Sequence, residues 1–195
     1  MRPQGRQQHS AHWFPKAYAD SVQKLRVPFG FLLLIAFACL THPSRSSMLT
    51  GMPICALGLA LRAWAAGHLA KDRQLATTGP YRYIRNPLYA GTLMVAAGIV
   101  IASRDLWLAL IFTAVFLLVY LPAIELEEQH LEELFPSYAE YASQVHRLLP
   151  LRRWRGGVQA RFSWSLYRRN EEYKALIGFV LALGWLVWRC RVAER

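Results

Sequence analysis

Five apolar segments dominate this chain, at residues 27–41, 48–69, 87–102, 106–124 and 175–188. The connections between them alternate between basic and nearly uncharged. A helix needs about 20 residues to cross about 30 Å of hydrocarbon, so segments 48–69 and 106–124 are long enough. The other three are shorter and need flanking residues to complete a crossing. The expected architecture is all-α: a polytopic membrane bundle of four helices, with 175–188 as a fifth that either crosses or lies in the interface. One integral membrane domain covers 1–195.

Lysines and arginines set the orientation. They collect before residue 27 (Arg2, Arg6, Lys16, Lys24, Arg26), in the 70–86 connection (Lys71, Arg73, Arg82, Arg85) and throughout 125–174. The two intervening connections carry one each, Arg45 and Arg104. The three basic stretches therefore belong on the cytoplasmic side, which puts the N-terminal segment 1–26 there too. Five crossings would strand Arg189, Arg191 and Arg195 on the far side, against the rule. The first twenty residues are polar and lack the apolar core of a signal peptide.

Composition supports the same class. Charged residues make up 18% of the 195, where an ordinary soluble domain carries about 25%. That deficit argues against a soluble enzyme, a disordered tail and a coiled coil. The net charge of +11 does not point to nucleic acid, because the basic residues flank apolar runs and form no single stripe. Cys39, Cys55 and Cys190 lie inside apolar stretches without metal-ligand spacing, so neither a metal site nor a disulfide framework is expected. No obligate protein partner is implied. Residues 151–169 mix arginines with Trp154, Phe162, Trp164 and Tyr167, a composition suited to a connection lying among lipid headgroups.

Two segments carry chemistry that membrane padding does not need. The first is GPYRYIRNPLYAG, residues 79–91. Gly-Pro sets a turn, Pro87 suits the first turn of the next helix, and Asn86 is in position to cap it. Gly91 permits close approach of a ligand or a neighbouring helix. The second is ELEEQHLEELFPSYAEYASQVHRLLP, residues 125–150, with six of the chain's twelve acids. At helical spacing Glu125, Glu128 and Glu132 share one face, and Glu127, Leu131 and Leu134 another. The first carboxylates follow directly on membrane-buried residues, where an unpaired charge is costly, so they need cationic partners. Arg62, inside the second apolar segment, is an intramembrane charge of the same kind; it either serves function or pairs within the bundle. His130 reads as a surface histidine.

Together, in order and bracketing a hairpin of helices, the two segments resemble the C-terminal half of the isoprenylcysteine carboxyl methyltransferase and phospholipid methyltransferase superfamily. Its pattern runs G-x-Y-x-x-x-R-H-P-x-Y-x-G, a membrane hairpin, then E-E-x-x-L-x-x-x-F-G-x-x-Y-x-x-Y-x-x-x-V-x-R-x-x-P. The likeness covers about residues 78–150, which would be the cofactor-binding and catalytic core. Here Asn86 stands for the family's histidine, Pro136 for its glycine and His146 for a frequent proline. The resemblance implies S-adenosylmethionine as cofactor and an amphipathic lipid or prenylated acceptor reached through the bilayer, with carboxyl O-methylation of an isoprenylcysteine-type thioether first and phospholipid amine N-methylation second. Tyr81, Asn86, Pro87, Tyr89, Gly91, Glu127, Glu128 and Arg147 would bind cofactor, and Arg85 and Glu128 would act in catalysis. Two other readings stand beside it. Membrane sterol reductases carry a related arginine-(His/Asn)-proline-x-Tyr motif and use NADPH, and a scaffold could keep the fold without activity.

Overall fold

A computed structural model describes residues 14–156 and 160–194. Seven helices run in the order α1 (Lys16–Leu40), α2 (Arg45–Ala66), α3 (Pro87–Ser103), α4 (Leu106–Leu134), α5 (Tyr138–Gln144), α6 (Trp164–Arg169) and α7 (Tyr173–Ala193). Among the described residues there is no strand, only an isolated parallel bridge between Ile84 and His146. Helices α2, α4 and α7 are long and apolar enough to cross a membrane, while α3 and the Val27–Leu40 part of α1 are shorter apolar helices.

The expected segments are recovered, with boundaries shifted for local reasons. Helix α1 starts at Lys16, well ahead of the apolar run. Val22, Phe29 and Leu33 recur at helical spacing and pack on Val115 and Val119 of α4, so a stripe of side chains carries the helix through polar sequence. Of the expected N-terminal segment 1–26, residues 1–13 lie outside the described ones. The fifth segment gains Tyr173 and Lys174 at one end and residues 189–193 at the other.

Helix α7 runs the length of the bundle. Glu172, at its start, is paired with Arg62 near the end of α2. At its other end Arg189 donates to the Thr41 carbonyl (2.8 Å) and Glu194 pairs with Arg45 (2.7 Å). One arginine of the basic tail, Arg189, thereby has a structural role. Arg189 satisfies a terminal carbonyl of α1, where a cation is favourable, and Arg45 meets an acid.

The closest packing is between α2 and α3. A Cβ on Gly51 would lie 2.3 Å from the Gly98 carbonyl oxygen, and one on Gly58 2.7 Å from that of Gly91. Small residues let two backbones approach where lipid supplies no hydrophobic drive between helices. Ser44 caps α2 in a reciprocal pair with Ser47, and the Asp105 carboxylate accepts from Leu108 N–H (2.7 Å) to start α4. Helix α4 contains a π-helical turn at Phe116–Tyr120, followed by Pro122. Proline cannot donate to the carbonyl four residues back, and the Tyr18 hydroxyl takes the Leu118 oxygen instead (2.9 Å).

Candidate active site

The two motif segments meet at one end of the bundle. After α2 the chain makes a 3-10 turn at Gly79–Arg82. Gly79 sits at φ +57°, and the His68 ring fills the space a side chain would need. The turn then lies alongside the end of the second motif. Arg85 N–H donates to the His146 carbonyl (2.9 Å) and Asn86 N–H to that of Arg147 (3.1 Å). The Tyr141 hydroxyl donates to the Tyr81 carbonyl (2.7 Å), and Trp154 N–H to that of Arg82 (2.7 Å). Tyr138, Tyr141, Val145 and Trp154 form a buried cluster behind the turn. Burial keeps the phenols of Tyr81, Tyr138 and Tyr141 protonated well above the usual tyrosine range.

Glu128 is the centre of this junction. Its side chain is buried, and one oxygen accepts from Asn86 Nδ2 (2.7 Å) with Arg85 Nε at 3.6 Å. The other oxygen accepts from Arg147 Nε (3.0 Å) and Nη2 (2.7 Å). One carboxylate thus joins α4, the start of α3 and the chain beyond α5. A buried acid held by two guanidinium groups is electrostatically compensated. The expected capping role of Asn86 is corrected here. Asn86 stands at the N-cap of α3 but makes no side-chain cap, because its amide is turned to Glu128.

In front of the junction lies a cavity of about 500 Å³, within the range of small-molecule sites. Tyr81, Arg85, Asn86, Pro87, Tyr89 and Glu127 line it. The Tyr89 hydroxyl donates to Glu127 (3.0 Å). Glu128 and Arg147 are not on its wall; they hold the wall residues from behind. Gly91 is not on the wall either. A Cβ there would lie 2.6 Å from Arg62 Cγ, so of its two expected uses the close approach is to a helix.

The connection after α2 supplies wall residues that sequence reading passed over, among them Lys71, Asp72 and Leu75. Asp72 adopts φ +57° and faces His130 of α4 at 3.7 Å. The only cue in the sequence was the charge of that connection. His130, expected as a surface histidine, is exposed and also borders the cavity.

Two wall atoms lack a hydrogen bond, although Arg85 Nε stays within ion-pair reach of Glu128. Arg85 Nε and Tyr138 Oη are buried and make no hydrogen bond, a costly state for polar groups. With the Glu127 carboxylate, apolar surface from Leu75 and Leu131, and phenol rings, this donor and acceptor set fits an amino-acid nucleoside such as S-adenosylmethionine. Among the described residues no group of three or more His, Cys, Asp or Glu could hold a metal ion.

A second cavity, of about 360 Å³, opens among α1, α2, α3, α4 and α7. Its lining is apolar except for Tyr120, Thr92 and Arg62, the last its one charged residue. Arg62 pairs with Glu172 and donates to Thr92 Oγ1 and the Leu88 carbonyl (3.2 Å). Leu88 lines the first cavity and Thr92 the second, so Arg62 stands at the partition. The pairing foreseen for Arg62 is therefore with Glu172.

Comparison with known proteins agrees with the motif reading. Residues 47–138 match the phospholipid methyltransferase family. The chain is 31% identical over 123 residues to the cobalt-zinc-cadmium resistance protein CzcN of Cupriavidus metallidurans, covering 62% of this chain and 57% of that one. It is 29% identical over 151 residues to the nickel-cobalt-cadmium resistance protein NccN of Alcaligenes xylosoxydans xylosoxydans, covering 76% and 65%. Protein-S-isoprenylcysteine O-methyltransferase of Schizosaccharomyces pombe is 26% identical over 142 residues, 70% of this chain and 60% of that one. The chain thus spans less than two thirds of the length of each of these relatives. No solved structure matches. Residues 47–138, which supply nearly all of α2, α3, α4 and most of the cavity wall, are thus similar to the phospholipid methyltransferase family, and three helices of the chain are long and apolar enough to cross a membrane.

Proposed function

We propose that the protein transfers a methyl group from S-adenosylmethionine to the carboxylate of a lipid-like acceptor. The observation that carries this is the pair of cavities separated by Arg62: a polar one where Arg85 Nε and Tyr138 Oη make no hydrogen bond, and an apolar one among the membrane helices. When bound, the cofactor supplies an electrophilic methyl group. Glu127 offers a carboxylate to its ammonium or ribose, Arg85 offers an N–H to a carboxylate, and Tyr81 and Tyr89 offer rings. The apolar cavity holds the acceptor chain, and Arg62 or Arg85 holds the acceptor's anionic end.

Carboxyl transfer is favoured over amine transfer by the engagement of Glu128. An amine must lose a proton before it attacks, whereas a carboxylate is already ionised. Both oxygens of Glu128 are taken by Arg85, Arg147 and Asn86, and the residue is not on the cavity wall, so it is not placed to receive that proton. The chain's residues then act mainly by positioning and by excluding water. We place this end of the bundle on the cytoplasmic side, because the basic connections gather there.

Membranes containing the protein, incubated with methyl-labelled cofactor and an S-prenylcysteine, are expected to yield base-labile label in the lipid fraction. Alkali-stable label would assign amine methylation instead. Calorimetric titration in which NADPH binds and S-adenosylmethionine does not would overturn the reading and favour the reductase class.

A further inference from the structure

The geometry points to a second ligand site, for the phosphate headgroup of an anionic membrane phospholipid, built by Arg82, Arg152, Arg153 and Arg155. These four arginines, with Ser143 and Gln144, surround a hollow of about 660 Å³ that shares no residue with the cavity of the proposed reaction. Among the described residues no carboxylate lines it.

The hollow is held by the buried cluster behind the 3-10 turn. The Trp154 indole packs edge-on against Tyr141, with centroids 5.6 Å apart, and its backbone N–H is bound to the Arg82 carbonyl. Gly156 folds against the indole so closely that a Cβ would come within 2.7 Å of it. Trp154 is thus the buried anchor of an arginine-rich stretch, and Arg152, Arg153 and Arg155 around it are exposed. The Arg153 guanidinium lies 5.7 Å over the Tyr83 ring, which directs it. Four like charges around one hollow raise the local positive potential, and an anion relieves it. Guanidinium groups match phosphate in bidentate fashion and are less strongly hydrated than ammonium, so arginine suits this use better than lysine.

A separate observation selects a membrane lipid over a soluble phosphate. Leu149 and Leu151, in the same stretch, are 59% and 62% exposed. Apolar side chains beside cations form the surface that seeks the headgroup boundary of an anionic bilayer. Arg82 lies just ahead of the start of α3 at Pro87, so the hollow is at the level where a membrane helix begins.

The test uses the full chain in detergent micelles, incubated with phosphatidylglycerol or phosphatidylcholine and analysed for retained lipid by native mass spectrometry. Wild type is expected to prefer phosphatidylglycerol. Arg152→Gln/Arg155→Gln should weaken that preference by about 25-fold, at roughly fivefold per arginine. Arg168→Gln/Arg169→Gln, with the same charge change on α6, should leave it intact, and Leu149→Ser/Leu151→Ser should weaken retention of the lipid. An unchanged preference in the Arg152/Arg155 variant overturns the site, as does an equal loss in the Arg168/Arg169 control. Displacement of the lipid by inorganic phosphate from wild type and leucine variant alike would make it a free-anion site and overturn the lipid assignment. Matching thermal unfolding of the variants excludes misfolding as the cause of any loss.

Discussion

Glu128 and its three partners decide what the site tolerates at the residue scale. Glu128→Ala leaves two guanidinium groups facing each other in a buried junction, and removing one side of such a pair costs about 3–5 kcal/mol. Thermal unfolding in detergent should show that loss. Turnover should fall about 100-fold or more, since the cavity wall loses its support. Asn86→His, which keeps an N–H donor for Glu128, should retain activity, whereas Asn86→Asp sets a second carboxylate at 2.7 Å and should not. His68 gives a pH signature. It is packed against Gly79 and Thr78, and burial lowers its pKa from 6.5. The unfolded imidazole therefore binds a proton at higher pH than the folded one, so stability is full above about pH 6.5 and declines as pH falls through it. His68→Gln should flatten that decline in unfolding curves taken across mildly acidic pH. Much of this junction was legible from residue type. The need of Glu128 for cations followed from its place after a membrane span, whereas Glu127 takes the Tyr89 hydroxyl and Glu125 the Phe14 N–H. Which acid would face the cavity was not legible as such, because neighbours on a helix differ by about 100° and only the packing of α3 fixes which side is inward.

Among the elements, α2 with α3 and α1 with α4 follow different rules. The first pair meets backbone to backbone through glycine, so Gly91→Ala should cost about 1–3 kcal/mol as α3 is pushed off Gly58 and Arg62. The second pair is joined by a proline and a phenol. Tyr18→Phe should destabilise the chain by about 1 kcal/mol. In a Pro122→Ala background, where the helix bond to Leu118 can re-form, its cost should shrink, and a double-mutant cycle reads that coupling. Here sequence gave partial guidance. Apolar length located α2, α3 and the membrane part of α4, but the start of α1 was hidden because Val22 alone carries its inward stripe into the polar stretch before residue 27. The fifth segment was undervalued for a related reason: arginines past Trp188 ended the apolar count, although Arg189 and Arg191 remain in the helix.

Over the whole molecule, the arrangement of cavities predicts how acceptors are sorted. A chain lying in the apolar cavity passes Ala96 and Ile99 of α3, so Ala96→Phe should raise KM for long-chain acceptors and leave short-chain thioethers little changed. Steady-state kinetics on an acceptor series checks this. The whole-molecule plan was readable because two motifs bracket a hairpin. The wall contributed by Lys71, Asp72 and Leu75 was not readable, since nothing in a polar connection says that it folds back over a helix end. The Glu128 junction carries one last implication. Toward Glu128, position 86 serves as a hydrogen donor to a fixed anion, a part that an amide and an imidazole can both play while an acid cannot. Drift at this position is free to discard titratable character, and a rule that demands histidine would pass over chains whose methyl-transfer machinery is whole.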